Sequence, residues 1–302
     1  MLPLFLSVNM AMLRTCVFTW RFQHMGAIIW LASYPKSGNT WVRSFLHNLL
    51  RNTQDSVDLD ELDHFCLGES DLRWYARHLS GDPETASVEM IAKVRSKGQQ
   101  DMTQAFPDSV FVKTHNYLGD WNGYPLHNMG ATAGGIYVLR NPLDVVLSVT
   151  HHFGVDIDGA IERMAHPNAG SGLNDKHIPE VHSSWSTNVK SWTGQPNPSL
   201  FVVRYEDLLD KPNVYFKNMA HFLGLNPPKE RLKRAIENAS FKKLKALEEE
   251  KGFKEKSKHS KSFFREGKAE QWREQLSESQ IKRIVADHRE QMERFNYVPE
   301  GY

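Results

Sequence analysis

Eight contiguous residues, Tyr34-Pro35-Lys36-Ser37-Gly38-Asn39-Thr40-Trp41, constrain this chain more than any other stretch of it. They follow an apolar run from Ala27 to Ala32. They precede a segment whose apolar positions, Trp41, Phe45, Leu46, Leu49 and Leu50, form one stripe at helical spacing. Strand, tight turn and helix together make a layout in which backbone N–H groups and a helix N-terminus converge on an anion. Gly38 lets the backbone approach closely, Lys36 adds a mobile point charge, and Ser37 and Thr40 supply hydroxyl donors. The Walker loop of nucleoside triphosphatases uses the same logic, but its G-x-x-x-x-G-K-[ST] order is missing, because Lys36 precedes its glycine. A proline-bearing surface turn that merely caps a helix would explain less well why Lys, Ser, Gly and Thr gather at this junction.

Three more runs read as buried strands: Ser109 to Lys113, Gly135 to Arg140 and Leu200 to Arg204. Helical patterns lie between them, so the alternation predicts an α/β fold with a parallel sheet covered on both faces. Asn141-Pro142 is an N-cap and N1 pair, with Asp144 in the first turn of the following helix. Pro212 to Leu225 reads as an amphipathic helix ended by Gly224. Pro167 to Pro179 reads as a loop, and Lys242 to Lys261 as either a charged helix followed by a loop or a flexible flap.

With 302 residues the chain can bury one large core, and residues 25–302 are expected to form a single domain. Its 37 basic and 36 acidic residues leave a net charge of +1, which argues against a general nucleic-acid binder. An anion site must therefore be built locally. Cys16 and Cys66 lie far apart and outside any metal-ligand spacing, which favours a reducing cytoplasm and no metal site. Arg14 interrupts the apolar stretch from Met1 to Trp20, so stable membrane insertion is not expected. Residues 1–24 are read as a disordered leader, or as lying upstream of a true start at Met25.

The Tyr34–Trp41 run matches, over all eight residues, the Y-P-K-S-G-[TN]-T-W loop of the cytosolic-type sulfotransferase family, which this chain resembles from about Ile28 to Trp272. The resemblance is to a bacterial-type member; the short C-terminal dimer motif of many animal members is not found, so oligomeric state stays open. The resemblance implies a parallel sheet with flanking helices, related to nucleotide kinases. It also implies 3'-phosphoadenosine-5'-phosphosulfate (PAPS) as sulfuryl donor. On this basis Lys36, Ser37, Gly38, Asn39 and Thr40 hold the 5'-phosphosulfate and Trp41 lies near the adenine. The run Val138 to Ser148 resembles the family's 3'-phosphate motif and assigns Arg140 and Ser148 to that group. Phe263 to Trp272 resembles the R-K-G-x-x-G-x-W motif, adding Arg265 and Gly267. There Glu266 replaces a lysine and Glu270 a glycine, and an added carboxylate suits a phosphate site only if it points away or pairs with Lys268. Phe241 is assigned to flank adenine and Tyr205 to lie near the nucleotide.

The chain has 14 histidines, and the Val112-Lys113-Thr114-His115 segment at a strand end singles out His115 by the family's K-T-H pattern. A histidine is the natural general base near neutral pH for an alcohol or phenol. The resemblance implies in-line transfer with His115 as base, Lys36 and Lys113 stabilising charge, and Ser148 restraining Lys36 until acceptor binds. The expected acceptor is a small-molecule alcohol, phenol or amine. Its pocket is expected around Phe65 to Trp74, Tyr117 to Tyr124 and His151 to Asp158. Two rivals are a nucleotide kinase of similar fold and a non-catalytic nucleotide-binding protein.

Overall fold

A computed structural model describes residues 26–302. The leader assigned to residues 1–24 lies outside the described residues. The elements run β1 (Ile28–Ser33), α1 (Asn39–Arg51), α2 (Leu62–Phe65), β2 (Cys66–Gly68), α3 (Val88–Met102), β3 (Val110–Thr114), β4 (Asp120–Trp121), β5 (Tyr124–Pro125) and β6 (Thr132–Leu139). They continue with α4 (Pro142–Phe153), α5 (Ile157–Ala165), α6 (Trp185–Thr193), β7 (Leu200–Arg204), α7 (Tyr205–Asp210), α8 (Pro212–Phe222), α9 (Lys229–Asn238), α10 (Phe241–Lys251), α11 (Trp272–Gln275) and α12 (Glu278–Arg294).

Five strands form one sheet in the order β2-β3-β1-β6-β7, and every pairing in it is parallel. Side-chain alternation along the strands splits the apolar residues between two faces. Trp30, Ala32, Tyr137 and Leu139 enter one core with α4, α6 and α12, while Leu31, Ile136 and Val138 enter another with α1, α8 and α9. A third, smaller cluster joins Leu59, Leu62, Leu244, Phe253 and Phe264.

β1 is the middle strand, and the connections leaving β1 and β3 run to opposite sides of it. That arrangement opens a crevice at the carboxyl ends of the strands, where open α/β sheets place their ligands. Val42, Phe45, Leu46 and Leu49 hold α1 against the sheet and are all essentially fully buried. At about 1.5–3 kcal/mol for each such side chain, their burial outweighs the roughly 1–3 kcal/mol cost of each unusual backbone conformation in the turn ahead of them.

Asn141 caps α4, its Oδ1 accepting from the Leu143 amide at 3.0 Å, with Pro142 at the first helical position. The charged run from Lys242 forms α10 followed by irregular chain from Gly252 to Gln271, which answers the helix-or-flap alternative. The small strand β2 and the β4–β5 hairpin are additions to the predicted set.

Candidate active site

β1 delivers Ser33 to the turn, and α1 begins at Asn39. Two residues of the turn adopt left-handed backbone, Lys36 at φ 68° and Gly38 at φ 104°. A Cβ on Gly38 would stand 2.7 Å from Cδ2 of Tyr205, so a side chain is excluded by space as well as by conformation. The Asn39 side chain turns inward, its Nδ2 donating to the Leu31 carbonyl at 2.8 Å. Asn39 thus clasps the strand to the helix through its Nδ2, while its buried Oδ1 has no partner among the described residues. Among the described residues, the amides of Lys36, Ser37 and Gly38 donate to no backbone acceptor, and the buried Ser37 Oγ has no partner. Free amides at a helix N-terminus beside an orphan hydroxyl fit a phosphate or sulfate.

A second cationic centre adjoins the loop, in one cavity with it. Arg140 follows β6 and donates to the Lys36 carbonyl at 3.2 Å, to Ser148 Oγ at 3.3 Å and to the Lys268 carbonyl at 3.4 Å. Its guanidinium lies 4.5 Å from the centre of the Tyr205 ring, which braces it. Arg265 borders the same cavity and makes no ion pair among the described residues. Burial and the neighbouring Arg140 charge both lower its pKa, the signature of two cations gathered where an anion would relieve them. Gly267, at φ 64°, lies so close to Phe241 that a Cβ would stand 2.3 Å from its ring. Of the two acidic departures from the motif, Glu270 lies off the cavity and pairs with Arg273 at 2.9 Å, whereas Glu266 borders the cavity beside Arg265 and pairs with Lys268 at 3.8 Å, all four well exposed. Ser148 touches Arg140, whereas Lys36 Nζ sits 4.0 Å over the Phe263 ring. Among the described residues Ser148 and Lys36 thus have different partners, Arg140 and Phe263.

His115 follows β3 and borders the same cavity. Its Nδ1 lies 2.9 Å from the Ser33 carbonyl, and a carbonyl only accepts, so Nδ1 carries the proton. That tautomer leaves Nε2 as a bare acceptor. The backbone is pinned as well: Asn188 donates to the carbonyls of His115 at 3.0 Å and His182 at 2.9 Å, and Tyr137 Oη donates to Asn188 Oδ1 at 2.8 Å. Next in sequence, Asn116 donates to the buried Glu69 carboxylate at 2.7 Å, which also holds Arg95 at 2.5 Å. Burial and the Lys113 charge push the His115 pKa down to about 3, so the imidazole is neutral at physiological pH.

Burial lowers the Lys36 pKa to about 8. Lys113 Nζ lies 3.9 Å from Glu255 Oε2, and Glu255 Oε1 accepts from Arg43 at 2.5 Å. Burial alone would raise the Glu255 pKa, but Arg43 and Lys113 hold it down at about 2. Nothing in the charged run marked Glu255 as a site residue. Likewise Arg43 and Asn188 look like ordinary helical residues in the sequence.

One cavity of about 890 Å³ is bordered by Lys36, Gly38, Asn39, Thr40, Trp41, Lys113, His115, Arg140, Ser148, Tyr205, Phe241, Arg265 and Gly267. Of the expected site residues only Ser37 lies behind its wall. Trp41 meets Tyr205 edge-on at 5.4 Å. The far wall comes from Ser70 to Arg73, Asp82 to Glu84, His152, Phe153 and the Ser171 to Glu180 loop. The Tyr117–Tyr124 stretch belongs to the β4–β5 hairpin and its approach instead, and none of it borders the cavity, which corrects one of the three expected pocket loops.

The model of the sulfotransferase domain matches residues 28–296. Cytosolic sulfotransferase 6 of Arabidopsis thaliana is 26% identical over 297 residues, covering 89% of this chain and 80% of that protein. Flavonol 3-sulfotransferase of Flaveria bidentis is 23% identical, covering 85% of this chain and 78% of its own. Among solved structures, retinol dehydratase in a complex with retinol and PAP superposes with TM-score 0.61 at 20% identity, covering 88% of this chain and 81% of that one. Mouse sulfotransferase SULT7A1 complexed with PAP gives TM-score 0.60 at 17% identity, covering 89% and 85%. At these identities the structural likeness is one of fold: a central parallel sheet flanked by helices. With the domain match spanning nearly all of the described residues, the chain belongs to the sulfotransferase family.

Proposed function

We propose that this protein transfers the sulfuryl group of PAPS to a hydroxyl or amine of a small-molecule acceptor. The observation that carries this reading is the meeting, in one cavity, of two separate anion-binding centres with a histidine whose Nε2 is free to accept a proton. A donor with a 5'-phosphosulfate and a 3'-phosphate needs two such centres, whereas a nucleoside triphosphate needs only one. The residues fit this donor: loop amides and Lys36 for the 5' end, Arg140 and Arg265 for the 3'-phosphate, and Trp41, Tyr205 and Phe241 for the base. When bound, the donor supplies the group that is transferred.

The protein's part follows from its own atoms. His115 Nε2 takes the acceptor's proton as the acceptor oxygen or nitrogen attacks, and the Ser33 carbonyl keeps the imidazole in the accepting tautomer. Lys36 and Lys113 stabilise the negative charge that builds on the bridging and sulfuryl oxygens, the electrostatic contribution that usually dominates such transfers. The intact Lys36, Lys113 and His115 support a catalyst over a non-catalytic nucleotide binder. The acceptors in the names of the relatives and neighbours, a flavonol and retinol, support a small-molecule acceptor. Relatives named as cytosolic support a cytoplasmic location, and no described helix is long and apolar enough to cross a membrane.

The donor is tested by thermal stabilisation. PAP at a hundred times its Kd should add about 2.7 kcal/mol of stability, and ATP at the same concentration far less. Equal stabilisation by both nucleotides would overturn the donor assignment. Labelled PAPS offered with a panel of alcohols, phenols and amines then identifies the acceptor by transferred label.

A further inference from the structure

Resting on this donor assignment, we propose that Glu255 is a built-in competitor for the donor. Its carboxylate occupies the meeting point of Arg43 and Lys113 beside the phosphate loop, weakens nucleotide binding by its charge, and returns there as spent nucleotide leaves. Of its two cations, Lys113 borders the donor cavity together with Glu255, and Arg43 lies behind them. Arg43 lies on α1, just past the loop, is 1% exposed, and also contacts Thr40 Oγ1 at 3.3 Å. A buried guanidinium needs a counter-charge. Its other carboxylate, Asp63, stands farther off at 3.6 Å and is shared with Lys254 at 2.8 Å, so Glu255 supplies most of that charge.

The carboxylate is also placed to move. Glu255 belongs to the irregular run from Gly252 to Gln271, whose aromatic anchors, Phe253, Phe263 and Phe264, pack in the small third cluster and not in either main core. Displacing this stretch leaves the sheet and its two cores intact. An anion arriving at the loop meets a full negative charge that proton uptake cannot remove near neutral pH, since Arg43 and Lys113 keep the carboxyl ionised. Binding therefore requires Glu255 to yield Lys113, and re-pairing favours release.

The experiment titrates wild type, Glu255→Gln and Glu255→Asp with PAP by calorimetry, and follows PAP dissociation by stopped flow. Glutamine keeps the size and a hydrogen-bonding oxygen for Arg43 but removes the charge. It should bind PAP on the order of tenfold more tightly, mainly through slower dissociation. Aspartate, with a shorter reach, should fall between the two, and it carries the test by itself if the glutamine variant does not fold. PAP binding to both variants no tighter than to wild type would make Glu255 a strut of the cover and end the proposal, while leaving the donor assignment standing. Failure of wild type to bind PAP would end both.

Discussion

The Tyr34–Trp41 turn is held between a largely buried strand and a buried helix face, and it offers a ligand mainly backbone amides. The Gly252–Gln271 run, which meets the turn through Phe263, has neither strand nor helix and offers side chains carried on a five-residue cluster. One wall is fixed in shape before ligand arrives, because moving it would unpack two cores. The other is freer to adjust, because it packs on the small third cluster and on neither main core. A site built this way can orient a transferring group on its rigid side and still admit and discharge a large nucleotide on the other.

The largest expected effect isolates chemistry on the rigid side. His115→Ala should lower transfer by about 10²–10⁴-fold while leaving PAP affinity within about twofold of wild type. Turnover unchanged in that variant would remove His115 from the role of base. A matched pair of substitutions then measures the difference in rigidity. Gly38→Ala and Gly267→Ala each force a side chain into left-handed backbone and against a ring, that of Tyr205 or Phe241. On the rigid wall the strain has nowhere to go, so Gly38→Ala should cost about 2–3 kcal/mol of stability and abolish PAP binding at accessible concentrations. Gly267→Ala should weaken PAP several-fold yet leave the melting temperature within about 2 °C, because the cover shifts. Equal destabilisation by the two would show that the walls are equally stiff.

A smaller effect follows from the Lys36 pKa of about 8. Below that pH the ammonium is charged and attracts the donor; above it the neutral amine does not. PAP affinity should therefore fall between pH 7 and pH 9, by no more than about tenfold, and Lys36→Arg should flatten that limb. His115, already neutral, should add no acid limb to PAP binding above pH 5. The smallest effect concerns Glu270, which holds φ 62° where the family motif has glycine. Glu270→Gly should raise stability by about 0.5 kcal/mol with transfer unchanged, read as a small upward shift in thermal denaturation.

What could be read in the sequence follows the same division. The four longer strands are visible because each is an apolar run ended by polar residues, although β7, at the sheet edge, buries only Val203 and exposes Val202, and the loop is visible because its chemistry is contiguous. β2 escapes notice because three residues carry no periodicity. Arg140 and Arg265 are found through motifs, since each stands in a recognisable neighbourhood. Glu255 is hidden in a Lys- and Glu-rich run where surface and buried carboxylates look alike, and only the fold brings it to Arg43. Asn188, which seats both His115 and His182, reads as one more polar residue in a helix. The far wall of the cavity is assembled from three distant loops, so no local pattern could specify it.

The central place of β1 has a consequence for how the molecule comes into being. Ile28 pairs on one side with Val110 and on the other with Thr132, so both neighbours are made long after it. As the chain emerges from its N-terminal end, the strand carrying the anion loop waits, apolar and unpaired, until the chain has grown through Leu139. The anion loop is thus among the first described segments to be synthesised and among the later ones to be secured. During that interval its strand is an apolar, unpaired stretch that other chains can meet.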